Sequence, residues 1–483
     1  MKLRNLVPAV VLFGLAGCMV GPDYHTPEAA SAEAWRHNDG WQPVPEQPWL
    51  AQGRWWEAFE DATLTALVDQ ATGANQTLAQ AEARYRGAEA ALRQAGAAGR
   101  PTVDGTVATT RAGTAGEGAA WDSRASLAVR WMPDLWGQVR RQVEAGTAQR
   151  DASAAELAGA RLAVQLAVAD AYVQLRSLDQ EQALLEASLA AYAKSVSLTE
   201  RQYQAGVAAR SDVIQAQTQR QSLQTQVHDL ARRRAAQEAA LAVLLGEVPS
   251  AFSLAAAEQL PSLPSLPSLP PSLPAVLIAR RPDVVAAERQ VAAANARIGV
   301  AQAAWLPNLT LNASGALVGE RIEDLFNAPA RVWSLGPSLA QTLFDGGLRR
   351  AQKETALADY DAQVAGYRQA VLEGLRDVET ALAEVALLRR KADDQAALVT
   401  LAEDNERVVN RRYASGLVSF IEVASAQTTT LDARRSALAL ERDQLLASLT
   451  LAAALGGGWN LDDPVVQHIT APSAALMERH KTK

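Results

Sequence analysis

The chain has 483 residues, a net charge of −7 and an isoelectric point near 5.5. That balance argues against a nucleic-acid binder, which usually carries a basic face. Aromatic residues are few at 5% while alanine and glutamine abound, and there is one cysteine. Such a composition favours long helices over a dense mixed core, and a lone cysteine excludes a disulfide framework within the chain.

The cysteine is informative by position. Met1-Lys2-Leu3-Arg4 is a basic start, and Leu6 to Ala16 is an apolar run too short to span a bilayer. Leu15-Ala16-Gly17-Cys18 follows. The stretch resembles a bacterial lipoprotein signal, which implies that residues 1–17 are removed and that Cys18 carries a covalent lipid of the palmitate class. Met19, rather than Asp, after Cys18 implies delivery to the outer membrane. The alternative is an ordinary signal peptide with a chance cysteine. No other segment reaches about 18 consecutive apolar residues, so no transmembrane helix is expected.

Residues 18–53 are rich in Pro, Trp and polar residues and read as an extended lipidated strap. A first repeat covers 54–246. It opens with Arg54-Trp55-Trp56, continues as short helices to about 98, and stops before Arg100-Pro101. Two strands are expected within about 101–131, where Ala125, Leu127, Val129 and Trp131 alternate with Ser126, Ala128 and Arg130. No proline occurs between Pro133 and Pro249, and Leu157, Val164, Ala171, Leu178, Leu185 and Tyr192 recur every seven residues. A sustained heptad is a coiled-coil packing signal, and a helix over 147–203 would run roughly 85 Å. A turn at Gly206 returns it as a second helix, closing a hairpin over about 147–246.

Residues 247–275 form a Pro-rich linker. A second repeat, 276–456, has the same plan: a helix ending before Leu306-Pro307, strands over about 308–343, and a hairpin over about 347–456. The last strand is expected to put Trp333, Leu335, Leu339 and Leu343 on one face. Val364, Val371, Val378 and Val385 carry the heptad, and residues 457–483 are a polar tail. The duplication is tightest at the hairpin turns. Arg201-Gln-Tyr203-Gln-Ala-Gly206 with Asp212-Val213 returns 210 residues later as Arg411-Arg-Tyr413-Ala-Ser-Gly416 with Glu422-Val423. Gly206 and Gly416 supply the positive φ that a helix-to-helix turn needs.

The fold expected is mainly α with a small β part, two repeats of helix, two strands and long helical hairpin. Strands that cross a bilayer must close into a barrel, and four are too few for one chain, so a membrane reading forces oligomerisation. Trp121, Trp131, Trp136, Trp305 and Trp333 lie in or beside the strands, as an interfacial belt would. The alternative is a soluble four-stranded sheet capping a helical bundle.

Gly21-Pro22-Asp23-Tyr24, Trp55-Trp56, Asp134-Leu-Trp136-Gly137, Arg280-Arg281-Pro282-Asp283-Val284 with Ala287-Glu288, Phe344-Asp345-Gly346-Gly347 and both Tyr…Gly turns carry a resemblance. Over Cys18 to about residue 465 the chain resembles the TolC-like outer-membrane efflux channels, in their lipoprotein branch serving resistance-nodulation-division pumps. The resemblance implies a homotrimer with a twelve-stranded transmembrane β-barrel and a twelve-helix periplasmic α-barrel. It implies two partners, a periplasmic adaptor (membrane fusion) protein and an inner-membrane pump, and an outer-membrane site. It also implies that Tyr413 reaches toward Asp212 and that Ile421, Glu422 and Ser425 line a periplasmic aperture, with Ser425 standing where many members carry an acid.

No catalytic residue, metal site or cofactor is expected: His25, His37, His228, His468 and His480 lack ligand spacing, and no phosphate-binding loop is present. The function expected is a passive exit duct for small molecules such as drugs. The rivals are a duct for type I protein secretion and a lipid-anchored coiled-coil scaffold without a pore.

Overall fold

The computed structural model describes residues 19–30, 35–36, 54–113, 116, 118–257, 278, 280–327 and 330–456. Cys18 and the signal, most of the strap, the linker from 258 and the tail from 457 lie outside the described residues. After a 3-10 turn at Trp55–Phe59 come α1 (Ala62–Ala74), α2 (Gln76–Ala97), β1 (Thr102–Ala112), β2 (Ala120–Trp131), α3 (Gln138–Gln204) and α4 (Arg210–Leu244). The second repeat has α5 (Pro282–Ala303), β3 (Asn308–Gly319), a single turn α6 (Asp324–Asn327), β4 (Ala330–Ala340), α7 (Leu348–Ala414) and α8 (Phe420–Ala454). The chain divides into two compact units.

The first unit takes residues 1–29, 83–154 and 285–370. Its sheet is antiparallel in the order β1-β2-β3-β4. The register pairs Val103 with Val129, Leu127 with Gly315 and Gly315 with Trp333, so odd-numbered residues share one face throughout. That face carries Val103, Val107, Trp121, Leu127, Leu317, Trp333, Leu335 and Leu339, and the other carries Asp104, Arg124, Arg130, Asn312 and Ser334. The apolar face is not a core: Trp333 is 79% exposed, Leu335 76% and Val107 71%. A soluble sheet capping a bundle would bury it. β4 stops at Ala340 and leaves Leu343 off the strand, 89% exposed. There Asp345 turns the chain, accepting from the amide of Gly347 and the guanidinium of Arg349.

Asp134 does the same for the first repeat, accepting from the amides of Val139 and Arg140 at 3.0 and 2.9 Å. Charge at this free helix start is favourable. Helix α3 therefore begins at Gln138, nine residues before the start expected at 147. Residues 19–30 are bound closely. Buried Arg141 donates to the carbonyls of Val20 and Gly21 and to Asp23, Asn295 donates to the Pro22 carbonyl, and the Tyr24 hydroxyl donates to Glu288. Gly21 has φ +110°, and a Cβ there would lie 2.5 Å from the Gly299 Cα.

The second unit takes residues 30–82, 155–284 and 371–483. Trp55 and Trp56 meet edge to face at 5.9 Å. With Phe59, Leu64 and Val68 they pack on Val168, Tyr172, Leu175, Leu241 and Leu445. Asp61 caps α1 and accepts the Tyr172 hydroxyl at 2.7 Å. The Trp-Trp motif is thus core. Arg281 donates to Asp283, to Asp377 and to the Ala454 carbonyl, closing the C-terminal end of α8. The heptads do the expected packing: Leu185 and Tyr192 join Leu223, Leu230 and Leu431 in one cluster, and Val371, Val378 and Val385 are buried.

Candidate functional site at the hairpin tips

Both tips belong to the second unit and share one backbone solution. The Val207 amide donates to the Gln202 carbonyl and the Gly206 amide to Tyr203; at the second tip Leu417 donates to Arg412 and Gly416 to Tyr413, every bond at 2.9 Å. The glycines have φ +73° and +71°. These are the six-to-one and five-to-two bonds of a Schellman turn, and they satisfy carbonyls left free at a helix end. The caps that start α4 and α8, Ala209 and Ser419, make no side-chain cap bond. Asp212 and Glu422 lie in those first helical turns, where the helix dipole favours a carboxylate.

The surroundings of the two turns differ. Tyr203 is 44% exposed, whereas its counterpart Tyr413 is 5% exposed. Part of the cause is one position: α8 starts with Phe420 where α4 starts with Arg210. Phe420 is buried and meets the Tyr413 ring edge to face at 5.7 Å. Val196, Val409, Val423, Ala424 and Ala216 complete a small core beneath the second tip.

A polar seam crosses that core to the first hairpin. The Tyr413 hydroxyl donates to Thr199 Oγ1 at 3.0 Å, and both groups are buried. Thr199 in turn donates to the Ser195 carbonyl at 2.9 Å. Gln427 donates to Ser195 Oγ at 3.0 Å, and Gln219 donates to the Ala424 carbonyl at 3.2 Å. Higher up, Arg435 of α8 pairs with Glu181 of α3 at 2.6 Å and donates to Gln226 of α4. Burial pushes the Tyr413 phenol above its ordinary range; the hydrogen bond with Thr199 works against that shift and the nearby Asp212 charge adds to it.

Asp212 acts on Tyr413 through space, and the hydroxyl is held by Thr199. Ile421, Glu422 and Ser425 are exposed on α8 and stand apart from the seam. Sequence reasoning missed Thr199, Ser195, Gln427 and Phe420. A signal for Thr199 existed: it is the next heptad position after Leu185 and Tyr192, a polar residue where the seam continues.

This architecture matches known proteins. The family model described as "Outer membrane efflux protein" matches residues 67–247 and 273–457. The pyoverdine export outer membrane protein OpmQ of Pseudomonas aeruginosa is 30% identical, over 96% of this chain and 98% of its own. The toluene efflux pump outer membrane protein TtgI of Pseudomonas putida is 29% identical, over 95% of this chain and 99% of its own. The solved structure of the outer-membrane channel OprN superposes with a TM-score of 0.84 at 28% identity, covering 92% of this chain and all of that one. With a duplicated hairpin plan, a two-faced four-stranded sheet and a family match across both repeats, the chain belongs to the outer membrane efflux protein family.

Proposed function

We propose that three copies of this outer-membrane efflux protein close into one duct, which passively carries small molecules from the periplasm to the outside. The observation that carries the reading is the sheet. One face is apolar, exposed on β1, β2 and β4 and half-buried on β3, the other is polar, and β1 and β4 are edges with no strand partner among the described residues. In lipid every backbone group must pair, so open edges are excluded. Joining β4 of one copy to β1 of the next closes twelve strands, with the apolar face toward lipid and the polar face toward water. The paired hairpins of three copies then supply a twelve-helix α-barrel.

The lipid on Cys18 is part of this proposal. Residues 19–24 are gripped by Arg141, Asn295 and Glu288, so an anchor on Cys18 would start one residue from a fixed point. A duct of this kind does no chemistry itself; its energy comes from a resistance-nodulation-division pump reached through a periplasmic adaptor. The gate is the tip region. Glu422, repeated by symmetry, forms an acidic ring with Ile421 and Ser425 beside it. The Tyr413–Thr199 and Gln427–Ser195 bonds hold the second hairpin inward until an adaptor docks. Relatives named for toluene efflux and pyoverdine export support small-molecule cargo.

Deleting the gene in its bacterium and measuring accumulation of dyes, antibiotics and solvents tests the reading. Accumulation should rise and should fall again on complementation. Unchanged accumulation together with loss of a secreted protein would favour the protein-secretion duct instead.

A further inference from the structure

Several arginines on α4 and α8 are engaged by acids at mid-hairpin. Arg435 is engaged by Glu181, Arg434 by Glu403, Arg442 by Asp443, and Arg234 by Asp179 and Glu238. Glu441 stands outside these pairs. It is half-buried on α8 among those arginines, yet its carboxylate makes no hydrogen bond or ion pair with any described residue. It lines a cleft of about 460 Å³ whose walls include Leu184 of α3, Val399 of α7, and Ala437 and Leu438 of α8. A second acceptor lines the same cleft: the Gln180 side-chain oxygen is buried and has no donor.

An unpaired, partly desolvated carboxylate and an orphan amide oxygen are both costly to bury. Both accept hydrogen bonds, and Arg434, which also lines the cleft, is engaged by Glu403 at 2.7 Å rather than by either of them. A cleft of this volume is in the range of small-molecule sites, which are apolar with a few placed polar groups. We infer that this cleft binds a small organic cation, its apolar body against Leu184, Val399 and Leu438 and its N–H groups donated to Glu441 and Gln180. Charge complementarity selects the class: with Arg434 engaged by Glu403, Glu441 is the unmatched charge of the cleft, and a neutral hydrocarbon would leave both acceptors orphaned. Burial holds the Glu441 pKa above its ordinary value, as an acid without a counter-charge requires. The inference concerns a wall site and goes beyond the duct reading.

The test uses the purified full-length protein in detergent, with ethidium, an aromatic cation bearing two amino groups, followed by fluorescence anisotropy. Wild type should bind saturably. Glu441→Gln, which keeps shape and removes charge, should weaken binding about tenfold or more. Ala437→Trp, which fills the cleft, should abolish it, and circular dichroism should show both variants folded. The anionic probe anilinonaphthalene sulfonate should show no loss in Glu441→Gln. Absence of saturable ethidium binding to wild type, or equal binding by wild type and both variants, overturns the assignment.

Discussion

Replacing Tyr413 by Phe probes the tip seam with the least disturbance. The ring keeps its edge-to-face contact with Phe420 at 5.7 Å, and only the hydroxyl at 3.0 Å from Thr199 is lost. Thr199 still donates to the Ser195 carbonyl, so no buried donor is orphaned. The cost is then the net value of one neutral hydrogen bond, about 1 kcal/mol. Three copies act together in the proposed trimer, so the closed state loses about 3 kcal/mol against the open one, roughly a 100-fold change in their ratio. Thr199→Val should cost more, about 1–3 kcal/mol per copy, because it leaves the buried phenol O–H without an acceptor. The assay is open probability of single channels in planar bilayers, with melting temperature as the control. Both variants should raise open probability, and the double variant should fall short of the sum, since the two residues share one bond. If open probability is unchanged in both while the trimer remains folded, the seam is not part of the gate.

Other outcomes follow from the same structure. Trp333→Arg, on the apolar face of β4, should cost about 2–4 kcal/mol if that face meets mid-bilayer lipid, while Ser334→Arg on the polar face should be tolerated; recovery of heat-labile trimer on gels separates them. Gly206→Ala and Gly416→Ala should each cost about 1–2 kcal/mol from the φ of +73° and +71° alone, since a Cβ at either site meets nothing within 4 Å; thermal unfolding measures this. Leu64→Ala should cost about 2–5 kcal/mol, because the side chain is fully buried under the Trp55–Trp56 pair. Burial raises the Glu441 pKa in the folded chain, so its contribution to stability is full in acid, below the ordinary carboxylate range, and is lost as pH rises through the raised value. Glu441→Gln should therefore melt above wild type at pH 7, with the gap closing toward pH 4.

Much of this fold is readable from residue order. The 210-residue offset placed both hairpin turns, since a Schellman turn is local and needs its glycine wherever it falls. Strands β2 and β3 were readable because one face is apolar and the other polar. The start of α3 was not, because Asp134 caps it through backbone amides ahead of any periodic residue. Nor was the partner of Tyr413. Tyr203 and Tyr413 sit in the same local motif, and one is exposed while the other is buried. What separates them is Phe420 against Arg210 and the packing of one hairpin on another, which no heptad within a single helix encodes.

Three copies of the two-faced sheet, joined edge to edge, should make a pore. Single-channel recording on the purified full-length protein in a planar bilayer tests it directly. Discrete conductance steps from a trimeric species are expected, with Trp333→Arg preventing insertion. A monomer, or a trimer that inserts and yields no steps even when Tyr413→Phe and Thr199→Val are combined, would contradict it.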